Sequence, residues 1–140
     1  GGYSALLAIA ASADFAAAAS LYGVSDPQAL RQVTHKFEAD YLDWLLGSSD
    51  ADLKARAPLE LVTQMHTPVI FFQGGRDVVV VPEQTRVMVA ALREQGVPVD
   101  YHLYPDEGHG FRQAQHLAEI LELELGFYRR VFEQRSTHLA

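Results

Sequence analysis

Between Pro68 and Gly74 stand Val-Ile-Phe-Phe-Gln, where four consecutive large β-forming residues leave no polar face. A strand with one wet side alternates apolar and polar residues. An unbroken apolar run needs cover on both sides, the condition of a strand inside a parallel sheet. Parallel neighbours also need helical crossovers, and the flanking sequence supplies them. Pro82 stands where the first residue of a helix belongs, Val87, Met88, Ala91 and Leu92 make one apolar face, and Gly96 ends it. Val-Asp-Tyr-His-Leu-Tyr follows as the next strand, with Val99, Tyr101 and Leu103 alternating. A last helix is expected from about Gln113 to Gln134, with Leu117, Leu121, Leu125, Tyr128 and Phe132 facing inward.

The upstream part fits the same plan. Gly2 to Ser12 reads as a helix buried on every side, and the run Phe15 to Gly23 as a strand whose alanines leave a helix open. Ser25 to Leu30 reads as a turn opening a short helix or loop. Phe37, Tyr41, Trp44 and Leu45 have helical spacing that Gly47 ends, and Asp50 is expected to cap a short helix ending before Pro58. This alternation predicts an α/β fold of three mostly parallel strands flanked by helices, in one domain over residues 1–140.

Composition excludes several function classes. A net charge of −7 lacks the basic footprint of a nucleic-acid binder and disfavours an anionic membrane surface. No apolar run reaches membrane-spanning length, and the opening lacks the basic region of a signal peptide, so a cytoplasmic location is expected. Without cysteine there is no thiol nucleophile, disulfide or thiolate site. His35, His66, His102, His116 and His138 have no paired spacing typical of a metal site, so neither metal nor cofactor is expected.

In open α/β sheets functional groups gather in the loops after the C-terminal strand ends. Two loops qualify: Gln73 to Asp77 after the first strand above, and Pro105 to Phe111 after the second. Asp77 and His109 therefore occupy equivalent places on strands expected to be neighbours. A carboxylate beside a histidine holds the imidazole in one tautomer, and the glycines flanking His109 let a substrate approach. Glu107 reads as a solvated loop carboxylate, and Arg76 as a surface residue.

These residues carry a resemblance. Q-G-G-R-D, then P-E-Q at Pro82 to Gln84, then Y-P-D-E-G-H-G-F, together with Thr34 to Gly47 and Leu121 to Glu133, closely resemble the C-terminal part of the prolyl oligopeptidase family of serine peptidases. The likeness is to its acylaminoacyl-peptidase and dipeptidyl-peptidase branch and runs through essentially the whole chain. Val81 departs from it, since many relatives carry a second proline there. The resemblance implies the C-terminal half of an α/β-hydrolase, with Asp77 as triad acid, His109 as triad base, peptides as substrates and no cofactor.

In that fold the serine precedes both residues, in a G-x-S-x-G elbow between strand and helix. By the resemblance, Gly1 and Gly2 match the glycines just after the elbow, so the nucleophile is expected two residues before Gly1. Gly2-Tyr3-Ser4-Ala5-Leu6 offers Ser4 as a rival, but Leu6 stands where the elbow has glycine and no strand precedes it. The expectation is a serine peptidase whose 140-residue segment is inactive alone and dimerises or associates with an N-terminal half. The alternatives are a carboxylesterase or dienelactone-hydrolase-like enzyme, and a non-catalytic half-hydrolase used for interaction.

Overall fold

A computed structural model describes residues 1–23, 49–55 and 57–139. Strands β1 (Ala18–Leu21), β2 (Val69–Gly74) and β3 (Val99–Tyr104) form a parallel sheet in the order β1-β2-β3. Ala18 pairs with Val69 and Val69 with Val99; Gly74 pairs with Tyr104 at the other end. Helices α1 (Gly2–Ala11), α2 (Asp50–Ala55), α3 (Pro82–Glu94) and α4 (Ala114–Leu139) surround the sheet, with a 3-10 helix at Pro58–Gln64. The expected turn at Ser25 and helix around Phe37 to Gly47 lie outside the described residues.

Every residue of β2 is buried, as its unbroken apolar run requires. Val69 and Phe71 join Leu6 and Ile9 of α1, Val62 and Met65 at the 3-10 helix, and Met88, Val89 and Leu92 of α3. Ile70 and Phe72 point the other way, into a second core with Tyr104, Phe111, Ile120, Phe127 and Val131. One central strand thus supplies alternate side chains to two cores. Pro82 is the first residue of α3, and Gly96 follows its end at φ 83°, as the sequence predicts. The Gln95 side chain donates to the carbonyls of Val62 and Met65 at 2.8 and 2.7 Å, tying α3 to the 3-10 helix that the sequence reading lacks.

Four expectations need correction. Asp50 is the first residue of α2 rather than its cap. Helix α1 buries Gly2, Leu6, Ile9 and Ala10, but Ser4 is exposed and Tyr3 and Leu7 are half-buried, so its apolar girth exceeds what covers it. The phase of α4 differs more. Ile120, Phe127 and Val131 are buried, whereas Leu117, Leu121, Leu125 and Phe132 are 45–68% exposed. Two ridges of this helix are apolar at i, i+4 spacing. The sheet takes the one carrying Ile120 and Phe127, which fill the surface made by Ile70, Phe72 and Tyr104. Tyr128 is half-buried between the two, and burial, with its hydrogen bond to Glu124, pushes its phenol up to about 12. On β3, the expected alternation holds for Val99 and Tyr101, which pack on the core shared with α3, but Leu103 is half exposed.

The two ridges of α4 predict opposite mutational costs. Ile120→Ala should lower the unfolding free energy of the chain by about 2–5 kcal/mol through lost transfer energy and a cavity. Leu121→Gln should change it by no more than about 0.5 kcal/mol. Urea unfolding of both variants checks the order; a larger loss at Leu121 would reverse the assigned phase.

Candidate active site

The loops after β2 and β3 cross in contact. A side chain at Gly74 would put its Cβ 2.4 Å from the carbonyl oxygens of Glu107 and Gly108, so only glycine lets the loops approach this closely. Backbone hydrogen bonds seal the crossing: Gly75 N–H donates to Tyr104 O at 2.8 Å and Arg76 N–H to Glu107 O at 2.9 Å.

Asp77 ends up buried at this crossing, 3% exposed. A carboxylate removed from water needs partners for both oxygens. The N–H groups of Val79 and Val80 donate to Oδ1 at 2.9 and 2.7 Å. Oδ2 accepts from Gln73 Nε2 at 3.3 Å and lies 2.9 Å from Nδ1 of His109. The two sequence-predicted residues, 32 positions apart, therefore meet. An ionised carboxylate only accepts, so Nδ1 is assigned the proton and Nε2 is left as the ring's free acceptor. The His109 side chain is 40% exposed, beside an open cleft of about 440 Å³ bordered by Val78, Gly110 and Arg112. Among the described residues no hydroxyl, that of Ser4 included, is hydrogen-bonded to His109.

Gln73 is a residue that the sequence reading passed over. It is fully buried, donates through Nε2 to Val80 O at 2.9 Å, and accepts the Thr85 hydroxyl on Oε1 at 2.7 Å. One amide thus joins the β2 end, the Asp77 loop and α3. Its signal was visible: a lone amide inside a strand that tolerates no other polar side chain.

Glu107 is not the solvated carboxylate expected. It is 3% exposed and accepts from the N–H groups of Arg112 and Gln113 at 3.1 and 3.0 Å, and it lies 2.8 Å from His116 Nδ1. The carboxylate folds the His109 loop back onto the start of α4. Burial favours the neutral acid, but the Arg112 N–H, His116 and the Gln113 N–H together outweigh it and hold the group below the ordinary carboxylate range. Arg76, in contrast, faces Asp106 at 3.5 Å with both side chains about 70% exposed, in keeping with the surface reading.

The third wall is aromatic. The Tyr22 ring lies with its centroid 4.9 Å from that of His109 and 5.6 Å from that of Phe111. Tyr22 has φ 43°, a left-handed conformation that costs a bulky residue about 1–3 kcal/mol. Nearby, a cavity of about 400 Å³ is bordered by Gly1, Gly2, Leu21 and Tyr22. A Cβ at Gly2 would fall 2.7 Å from Gly23 Cα and Leu21 O, so α1 begins directly against the end of β1. Among the described residues no group of three or more His, Asp or Glu is arranged to hold a metal ion.

Because Glu107 is depressed in the folded state, its stabilisation is present above the ordinary carboxylate value near 4.5 and lost as pH falls through the folded value. Urea midpoints measured from pH 7 down to pH 3 should therefore fall more steeply in the wild type than in Glu107→Gln. Parallel curves would show that the carboxylate is not held as described.

A model of the prolyl oligopeptidase family matches residues 1–135. Dipeptidyl peptidase family member 6 of Caenorhabditis elegans is 32% identical over 129 residues, covering 85% of this chain and 17% of its own length. Dipeptidyl aminopeptidase BIII of Pseudoxanthomonas mexicana is 30% identical over 136 residues, covering 91% of this chain and 20% of its own. A puromycin-hydrolyzing peptidase of Mycobacterium tuberculosis superimposes with a TM-score of 0.88 at 36% identity, over 93% of this chain and 20% of that one. The chain thus spans about one fifth of the length of these relatives, and it shares their α/β-hydrolase fold. On the strength of the family match, the chain belongs to the prolyl oligopeptidase family.

Proposed function

We propose that this chain carries the acid and base of a serine peptidase, Asp77 and His109, and that the nucleophilic serine stands two residues before Gly1. The observation that carries this reading is the 2.9 Å contact between a buried carboxylate and an imidazole whose Nε2 has no hydrogen bond among the described residues, in a member of this peptidase family. The close packing of Gly2 on Gly23 and Leu21 supports an elbow at the start of α1, with its cavity beside Tyr22 and so near His109.

In this mechanism the serine oxygen attacks the scissile carbonyl while His109 takes the hydroxyl proton on Nε2. Asp77 keeps the ring in the tautomer that leaves Nε2 open. His109 then delivers the proton to the leaving amine, and the acyl group stays on the serine. Water, deprotonated by the same nitrogen, attacks the acyl-enzyme; the acid leaves and the serine regains its proton. One oxyanion donor is the N–H of the residue after the nucleophile, and another comes from an earlier strand's loop. The relatives named for dipeptidyl aminopeptidase and puromycin hydrolysis support short peptides and aminoacyl amides as substrates. On this reading the edge of β1 that is unpaired among the described residues, and the partly covered face of α1, are covered by the rest of the catalytic domain, or by a second copy when the segment is alone.

Two outcomes follow. In a polypeptide extending upstream of Gly1, Asp77→Asn and His109→Gln should each cut kcat for a dipeptidyl or aminoacyl amide by about 10³- to 10⁴-fold or more, while the 140-residue segment shows no sustained turnover. Full activity in either variant, or turnover by the segment, would overturn the assignment. Light scattering of the segment at micromolar concentration should give a mass above its 15.5 kDa; a clean monomer would contradict the proposed association.

A further inference from the structure

Tyr22 is the one non-glycine residue at positive φ among the described residues. Gly23 follows immediately and would take a left-handed conformation at no steric cost. Instead the β1 ladder continues into the turning residue, whose N–H donates to Phe72 O at 2.9 Å. The left-handed backbone sends a large ring sideways, against the imidazole of His109 at 4.9 Å with the planes 56° apart. Phe111 backs that ring at 5.6 Å, and Tyr104 backs Phe111 at 5.1 Å, so the wall is rooted in the second core. The contact with His109 is made by the Tyr22 ring.

The position matters because Asp77 holds His109 at one atom only. An imidazole tied through Nδ1 and 40% exposed still has rotational freedom about its χ angles. A second, non-polar contact on the ring removes that freedom without competing for either nitrogen.

We propose that Tyr22 is a positioning residue for His109: its strained backbone aims the ring so that the imidazole cannot swing away from the line on which Nε2 exchanges the serine proton. The proposal rests on the reading of His109 as general base. The aromatic ring, and not the hydroxyl, carries the role.

The test uses the polypeptide extending upstream of Gly1, with Tyr22→Phe and Tyr22→Leu variants and histidine-selective isotope labelling, His109 being assigned from His109→Gln. In the wild type and in Tyr22→Phe, the His109 carbon-bound ring protons should be displaced from the positions of a solvent-exposed histidine by the Tyr22 ring current. That displacement should vanish in Tyr22→Leu. Kinetically, Tyr22→Phe should stay within about twofold of the wild type, and Tyr22→Leu should lose about tenfold in kcat with KM unchanged. Exposed-histidine resonances in the wild type would overturn the contact, even if Tyr22→Leu failed to fold. A displaced resonance with wild-type kcat in Tyr22→Leu, or a tenfold loss in Tyr22→Phe, would overturn the role. Failure of the underlying peptidase reading looks different: no hydrolysis by the wild type, or hydrolysis indifferent to Asp77→Asn.

Discussion

The Asp77 carboxylate, taken out of water at the end of β2, is the group around which the site is organised. Leaving such a group short of partners costs more than any single hydrogen bond returns, so the surrounding sequence is committed to supplying them. Two N–H groups come from the loop itself, one from Gln73, and one from His109 on the neighbouring loop. Gln73 is itself held by Thr85 on α3, and the crossing that brings His109 within reach depends on glycine at position 74. The central strand, the crossover helix and both functional loops therefore serve one desolvated charge.

A second carboxylate holds the loop that carries the imidazole. Glu107 gathers the first turn of α4 and His116, and so fixes the loop that carries His109. The two carboxylates divide the labour: Asp77 sets the ring nitrogen, and Glu107 sets the backbone from which the ring projects. With Tyr22 against the ring, His109 is constrained through its loop, one nitrogen and one ring contact, while Nε2 has no protein hydrogen bond among the described residues.

Much of this was legible in the residues. The buried run Val69 to Phe72, Pro82 at a helix start and Gly96 at its end fix β2 and α3, because period and punctuation agree. Asp77 and His109 stood out because equivalent strand-end loops of a parallel sheet must lie side by side. The phase of α4 was not legible, since both ridges are apolar and only the shape of the facing sheet decides between them. The 3-10 helix is too short for periodicity to reveal, and the burial of Glu107 follows from the path of its loop. Nothing local announces Tyr22 either: a tyrosine in left-handed backbone violates the rule by which such positions are read.

The central claim is that Asp77 and His109 activate a serine just upstream of Gly1. It is tested most directly by reacting the upstream-extended polypeptide with a fluorophosphonate and locating the adduct by peptide mass spectrometry. The account predicts one adduct, on the serine two residues before Gly1, formed in the wild type and lost in His109→Gln. An adduct on Ser4, or labelling of that upstream serine undiminished in His109→Gln, would contradict it.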